Sequence, residues 1–399
     1  MRIAPAAERA VRSGHPWVFA DSVRSLHREG VTGDLGVIFD RRDRFLAIGL
    51  YDATSPIRLR ILHAGAPEPL DEAWWRRRLM AAVERRAALF GPDTTGHRWI
   101  HGENDGWPGL VLDRYGTTLV MKLYTAAWLR RIPGLTALLS ATLAPDRIVV
   151  RFSRNVRDAA AAAGFPEGHE AGPAAGPAQV PFLERGLIFE AGVLRGQKTG
   201  FFLDQRENRH RVGSFTSGAR VLNLFSHTGG FSVHAARGGA RTVTDLDISA
   251  PALAEARRNL EANRHLPGVR EVRHEAVQAD AFEWLARRSP PEFDVVVVDP
   301  PSLARREAER TDALDAYGHL VRGALRRLRP GGRLVAASCS AHVSAPEFFG
   351  VVRAGVVRSG RPFAEQATTG HPPDHPATFP EAAYLKAIYL RLEPAGQRD

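Results

Sequence analysis

Two short segments hold most of the reactive chemistry in this chain. Asp299-Pro300-Pro301 follows the run Val295 to Val298, and Ser338-Cys339-Ser340 follows Leu334 to Ala337. Proline cannot donate to a sheet ladder, so a strand through Val298 must stop at the Pro-Pro pair and leave Asp299 at its tip. Cys339 is the only cysteine in the sequence. A lone cysteine is more often a small buried hydrophobe than a nucleophile. At the mouth of a sheet, between two serines and beside an Asp-Pro-Pro tip, its sulfur is placed to attack and the carboxylate to manage a proton.

A second set of residues suits a nucleoside ligand. Asn223-Leu224-Phe225-Ser226-His227-Thr228-Gly229-Gly230 leaves a strand through paired glycines, which let a turn pass close to a bound molecule. The Gly-x-Gly-x-x-Gly spacing that serves a pyrophosphate is missing here. Asp247 ends the next apolar run and could accept both hydroxyls of a ribose, or simply cap the helix that follows. Asp245 is two residues earlier and shares its face. Asp280, before Ala281-Phe282, could hold an adenine or cap a helix in the same way.

These positions require a doubly wound, mostly parallel sheet. From about residue 186 the expected strands are Val221–Phe225, Thr242–Asp247, Val269–Glu275, Val295–Asp299 and Leu334–Ser338. Helices are expected near 230–237, 249–263, 281–288, 311–328 and 346–358. Ligands of such α/β sheets sit at the carboxyl ends of the strands. Upstream, alternating runs between residues 34 and 62 predict a small β-barrel, and a helix from Trp74 to Phe90 opens a small α+β region. The Ala/Gly/Pro-rich stretch 159–179 reads as a mobile surface loop. The expected domains are 1–66, 67–185 and 186–399.

Composition narrows the class. The formal net charge is +10, and 54 of the residues are Lys or Arg, of which only Lys122, Lys198 and Lys386 are lysine. Such a balance favours a polyanionic partner, although an arginine-rich coding bias would give the same excess. One cysteine excludes an internal disulfide framework and, without grouped Cys/His spacing, speaks against a structural zinc site. No run approaches the roughly 18 apolar residues needed to span a bilayer, and the first twenty residues do not read as a secretion signal. A cytoplasmic protein with no metal is the expectation.

Longer motifs carry a resemblance. Gln197-Lys198-Thr199-Gly200-Phe201-Phe202-Leu203-Asp204-Gln205-Arg206-Glu207-Asn208-Arg209, the Asn223 to Phe231 loop and Asp299-Pro300-Pro301-Ser302 resemble the RlmI-type family of ribosomal RNA large-subunit methyltransferases. His15-Pro16-Trp17-Val18-Phe19 is similar to the opening of that family's N-terminal PUA domain. Asn104 to Leu110, Asp374-His375-Pro376 and Pro380 to Lys386 extend the likeness over almost the whole chain.

The resemblance implies a class I methyltransferase fold, S-adenosylmethionine as methyl donor and 5-methylcytidine in large-subunit ribosomal RNA as product, with Cys339 the nucleophile. It assigns Lys198, Thr199, Gly200, Phe201, Asp204 and Arg206 to the cofactor. Asn223, Phe225, Thr228, Gly229, Gly230, Asp247, Asp280 and Asp299 join them. Pro300, Pro301, His375 and Lys386 are expected at the substrate. A homodimer stays open. So do two other functions: methylation of a base nitrogen with Cys339 a spectator, and a non-catalytic RNA-binding or ribosome-assembly factor.

Overall fold

The computed structural model describes residues 1–171, 175–287, 289–290 and 292–394. The chain divides into two compact units. The first takes in Met1–Gly186, Glu190–Leu203 and Pro373–Phe379; the second takes in Leu187–Phe189, Asp204–Pro372 and the residues from Pro380 onward. The segments Glu190–Leu203 and Pro373–Phe379, which the sequence reading puts in its third domain, thus belong to the first unit.

In the first unit, Trp17–Phe19, Leu35–Phe39, Phe45–Tyr51 and Ile57–Ala64 form a four-stranded antiparallel sheet. Arg2–Ile3 and Val23–Ser25 pair separately, so the expected barrel is built as two sheets. A five-stranded sheet follows, from Gly96–His101 through Leu110–Tyr115, Thr118–Leu123 and Arg147–Phe152 to His169–Ala171. The stretch expected to be a loop is partly ordered: Arg157–Ala162 is helical and His169–Ala171 pairs with Arg147–Phe152. Residues 172–174 of it lie outside the described residues. The expected helix runs over Glu72–Ala87, where the Asp71 carboxylate accepts from the Trp74 amide at its N-terminus.

The second unit is a seven-stranded sheet. Its strands are β1 (Arg220–Leu224), β2 (Thr242–Asp247), β3 (Arg273–Gln278), β4 (Phe293–Val298), β5 (Leu328–Ser338), β6 (Phe363–Thr369) and β7 (Lys386–Leu392). The spatial order is β3-β2-β1-β4-β5-β7-β6, with β3 to β5 parallel and β7 antiparallel to both neighbours. The helices are α1 (Arg206–Gly213), α2 (Gly230–Arg237), α3 (Ala250–Ala262), α4 (Pro267–Glu271), α5 (Ala281–Ala286), α6 (Arg310–Arg327) and α7 (Ala345–Arg358).

Burial on both faces of the central strands explains their unbroken Val and Leu runs: Val295, Val296, Val297 and Val298 are each at most 2 % exposed. Helix α6 places Ala313, Tyr317, Leu320, Val321 and Ala324 at helical spacing and buries them in this core. Helix α7 starts with a capping box between Ser344 and Glu347.

Two expectations need correction. The strand expected at Val269–Glu275 begins at Arg273, because Pro267 opens the short helix α4, which claims Val269. The strand expected at Leu334–Ser338 begins earlier, at Leu328, and takes in Arg329 to Gly332 as an irregularity, where pairing with β4 jumps from Leu328 to Arg333.

Candidate active site

The strand order brings the tips of β4 and β5 side by side, since Val298 pairs with Ala336. Asp299 is half-buried just past the first tip and Cys339 is half-buried just past the second. The Cys339 Sγ lies 4.0 Å from the Pro300 carbonyl oxygen. Pro300 is buried and Pro301 exposed, so the rigid segment lines one side of the thiol and offers only its second ring to solvent.

A serine joins the two tips. Ser340 Oγ lies 3.1 Å from Ser302 Oγ and accepts from the amides of Leu303 at 3.1 Å and Ala304 at 3.4 Å. The Tyr317 hydroxyl, from α6, is 3.1 Å from the same oxygen and 2.8 Å from Ser338 Oγ. Burial pushes the Tyr317 hydroxyl above the usual phenol range, which keeps it a neutral hydrogen-bonding group.

Asp299 has its own support. Gln205 Nε2 donates to Asp299 Oδ1 at 2.9 Å, and Asn208 Nδ2 donates to Gln205 Oε1 at 2.6 Å. Asn208 Oδ1 in turn accepts from Thr369 Oγ1 and Tyr389 OH. This chain of amides fixes the Gln205 side chain so that its N–H groups face the carboxylate.

The loop after β1 is held in an unusual backbone conformation. Phe225, His227 and Gly229 have φ of +57°, +47° and +73°. Left-handed non-glycine residues are costly and cluster where function demands them. At Gly229 a Cβ would also stand 2.7 Å from the Ala256 Cβ, so glycine is required for both conformation and space. Beneath the loop, Asn223 Nδ2 donates to Ser232 Oγ and Asp245 Oδ1, both at 3.0 Å, and His274 Nε2 lies 2.8 Å from Asp245 Oδ2. Asp245 is fully buried by these partners and belongs to the loop's foundation.

Asp247, half-buried, accepts from the His227 amide at 2.9 Å and the Ser249 amide at 2.8 Å. The cap of α3 is Ser249, not Asp247. Asp280 does cap α5, accepting from the amides of Phe282 and Glu283 through Oδ1. The Phe225 and Phe282 rings meet edge-on at 6.3 Å. Buried Thr228 presents its carbonyl to Asn259 Nδ2 at 2.9 Å, and Gly230 starts α2. Asn223 Oδ1 and Ser226 Oγ are buried with no hydrogen-bond partner among the described residues. Asp204 Oδ2 accepts from Tyr384 OH at 2.8 Å, and Arg206 is buried with its Nε 3.3 Å from Glu207 Oε1.

Five residues of the expected set lie in the first unit. Thr199 Oγ1 donates to Asp113 Oδ2 at 2.5 Å and meets Tyr115 OH at 2.9 Å; the Phe201 amide also donates to that hydroxyl. Lys122 Nζ donates to the Lys198 carbonyl at 2.7 Å, and Gly200 has a φ of +139°. The fifth is His375, 1 % exposed, with its ring 5.2 Å from that of His101 and its Nδ1 3.1 Å from Asp374 Oδ1. Interior packing gives it no face to offer a substrate.

Lys386 also departs from its expected place. It is 3 % exposed, and its Nζ donates to the carbonyls of Ser340, Val343 and Tyr384. An ammonium has three donors, so none remains for a phosphate. The geometry adds Tyr317 and Ser340 to the expected site and gives Gln205 a place beside Asp299. Gln205 sits inside the motif already singled out and Ser340 beside the cysteine, whereas nothing in the sequence marks Tyr317. Among the described residues no group of three or more His, Cys, Asp or Glu side chains could hold a metal ion, and no helix is long and apolar enough to cross a membrane.

Comparison with known proteins agrees with this fold. Residues 175–391 match the S-adenosylmethionine-dependent methyltransferase family and residues 1–64 match the PUA-like domain. A ribosomal RNA large subunit methyltransferase of Deinococcus radiodurans is 55 % identical, covering 98 % of this chain and 97 % of that protein. Ribosomal RNA large subunit methyltransferase I of Klebsiella pneumoniae is 35 % identical, with 98 % and 97 % covered. A solved structure described as a methyltransferase complexed with SAH shares the fold with a TM-score of 0.83 at 22 % identity, covering 98 % of this chain and 99 % of that one.

Proposed function

The chain belongs to the RlmI-type ribosomal RNA large subunit methyltransferases, a family that uses S-adenosylmethionine, and from that premise we propose that it methylates carbon 5 of a cytidine in large-subunit ribosomal RNA through Cys339. The observation that carries this reading is the half-buried Cys339 sulfur 4.0 Å from the Pro300 carbonyl, one strand over from Asp299. A charge of +10 is consistent with an RNA partner. The same reading puts the reaction in the cytoplasm.

The residues around the β1 loop fit the cofactor. Asn223 Oδ1 and Ser226 Oγ are buried polar atoms without partners among the described residues, and such atoms are expected where a polar ligand completes them. Asn223, Phe225, Thr228, Gly229, Gly230, Asp247, Asp280 and Asp299 would hold it, with Asp204 and Arg206 as further candidates. S-adenosylmethionine, when bound, supplies an electrophilic methyl group.

Carbon 5 of cytosine is a poor nucleophile. Cys339, as thiolate, would add to carbon 6, moving the ring π electrons toward N3 and making carbon 5 an enamine carbon. Asp299, held by Gln205, would share a proton with N3 and offset the charge that develops there. After methyl transfer, loss of the carbon-5 proton would expel the Cys339 sulfur and restore the aromatic ring. Access requires a single-stranded or flipped-out base.

Incubation with 5-fluorocytidine-substituted RNA and S-adenosylmethionine tests this directly, because fluorine cannot leave as a proton. A denaturation-resistant RNA–protein adduct that disappears in Cys339→Ala supports the thiol route. Turnover without any adduct would favour nitrogen methylation, and failure to bind S-adenosylmethionine would favour a non-catalytic RNA-binding role. Bisulfite mapping of ribosomal RNA with and without the gene identifies the nucleotide.

A further inference from the structure

We propose that Lys386 is a positioning residue for Cys339: its ammonium pins the backbone just beyond the cysteine and keeps a positive charge near the sulfur that favours the thiolate. The inference rests on the cysteine route proposed above and adds to it the source of the thiol's activation.

Three observations converge on this role. Lys386 opens β7 directly opposite Ser338, the last residue of β5, so it stands at the tip from which Cys339 emerges. Its Nζ grips the carbonyls of Ser340 and Val343, both in the segment that follows Cys339, and that of Tyr384 at 3.1 Å on its own side. All three partners are neutral, and no carboxylate forms an ion pair with Lys386 among the described residues. Carbonyl dipoles satisfy its hydrogen bonds, but among the described residues no carboxylate contacts this charge in its buried site. An anion formed nearby relieves that cost.

Burial lowers the Lys386 ammonium to about 8, while attraction to Cys339 and to Glu347 on α7 works in the opposite direction. Tyr317 on α6 and Asp299 beyond β4 also belong to this neighbourhood, and burial holds Tyr317 neutral. Attraction between two groups acts on both, so the ammonium that is favoured by a nearby thiolate favours that thiolate equally. At neutral pH a lysine with a pKa of about 8 is still mostly charged.

Because the chain has one cysteine, iodoacetamide reports on Cys339 alone in the full-length protein. Alkylation rates from pH 5.5 to 9.5 would be measured for the wild type, Lys386→Met and Lys386→Arg, with S-adenosylmethionine binding as the check on folding. The alkylation midpoint should rise by about one pH unit or more in Lys386→Met and stay near the wild-type value in Lys386→Arg. A cofactor-binding Lys386→Met protein with an unchanged midpoint would overturn the proposal.

Should both variants fail to fold, the wild-type profile still decides. It should show thiolate formation below the ordinary thiol range and a second rise near pH 8 as the lysine loses its proton, whereas a single step at about 8.5 would sink the idea. None of these readouts depends on which base atom is methylated. A shifted midpoint without a 5-fluorocytidine adduct would therefore remove the carbon-5 reading and leave the Lys386–Cys339 coupling standing.

Discussion

Gln205 Nε2 donates to Asp299 Oδ1 at 2.9 Å, and the Gln205 carbonyl is occupied by Asn208. The amide is therefore locked with its donors toward the carboxylate, which orients Asp299. Gln205→Ala should lower the rate of methyl transfer by about 10- to 100-fold, the loss expected for a charge-assisted hydrogen bond of about 1.5–3 kcal/mol. Single-turnover kinetics should show the loss in kcat with RNA affinity little changed. An unaltered rate would mean Asp299 needs no such support.

Cys339→Ala should bind S-adenosylmethionine as the wild type does and lose methyl transfer on the order of 10⁴-fold or more, since no neighbouring group can replace the sulfur. Calorimetric cofactor titration and tritiated methyl incorporation measure the two properties separately. Asp299→Ala should be nearly as damaging, and a normal rate would take it off the catalytic list.

Gly229→Ala brings together two penalties, a left-handed backbone and a Cβ 2.7 Å from that of Ala256. A stability loss of about 1–3 kcal/mol is expected, together with weakened cofactor binding. Urea denaturation with and without S-adenosylmethionine checks both. Wild-type stability in this variant would show that the loop can shift away from α3.

Ser340→Ala leaves the amides of Leu303 and Ala304 without their shared acceptor and removes one hydrogen-bond partner of the Tyr317 hydroxyl. Removing a buried partner of this kind costs about 1–3 kcal/mol. Methyl transfer should fall as well, because the two strand tips are then free to move apart. Hydrogen exchange at Leu303 and Ala304 should speed up in the variant, and unchanged protection there would contradict the hub role.

Burial lowers Lys122 to about 8, below the lysine value of about 10.4 in an unfolded chain. Between those values the unfolded chain binds more protons, so this residue makes stability rise with pH across that window and adds no slope below it. From pH 7.5 to 9.5 the wild type should therefore gain stability relative to Lys122→Met, as read by denaturant midpoints at each pH. Parallel curves would show that Lys122 keeps an ordinary pKa.

The sequence disclosed much of this site because its key residues follow strand ends, and strand ends are marked. The Val295–Val298 run with its Pro-Pro stop located Asp299, and the β2 and α2 spans agree with the structure residue for residue. Residues whose meaning depends on distant partners were misread. Lys386 is a basic residue in a polyanion-binding chain until its three carbonyl partners are seen, and His375 looks available until its packing against His101 is known. Strands β6 and β7 went unseen because each is defined by its antiparallel partner rather than by a terminal motif, and β5 begins at Leu328, ahead of Pro330-Gly331-Gly332, where its pairing with β4 is interrupted.

The antiparallel insertion of β7 beside β5 sets an order of assembly during synthesis. Cys339 is made well before Lys386, the residue that clamps the segment just beyond it. A nascent chain carrying the cysteine, the carboxylate and the glycine loop would still lack its clamp until residues 386–392 left the exit tunnel. Throughout the synthesis of residues 340–385 the strand tip that carries Cys339 is thus without the ammonium that later binds the carbonyls just beyond it.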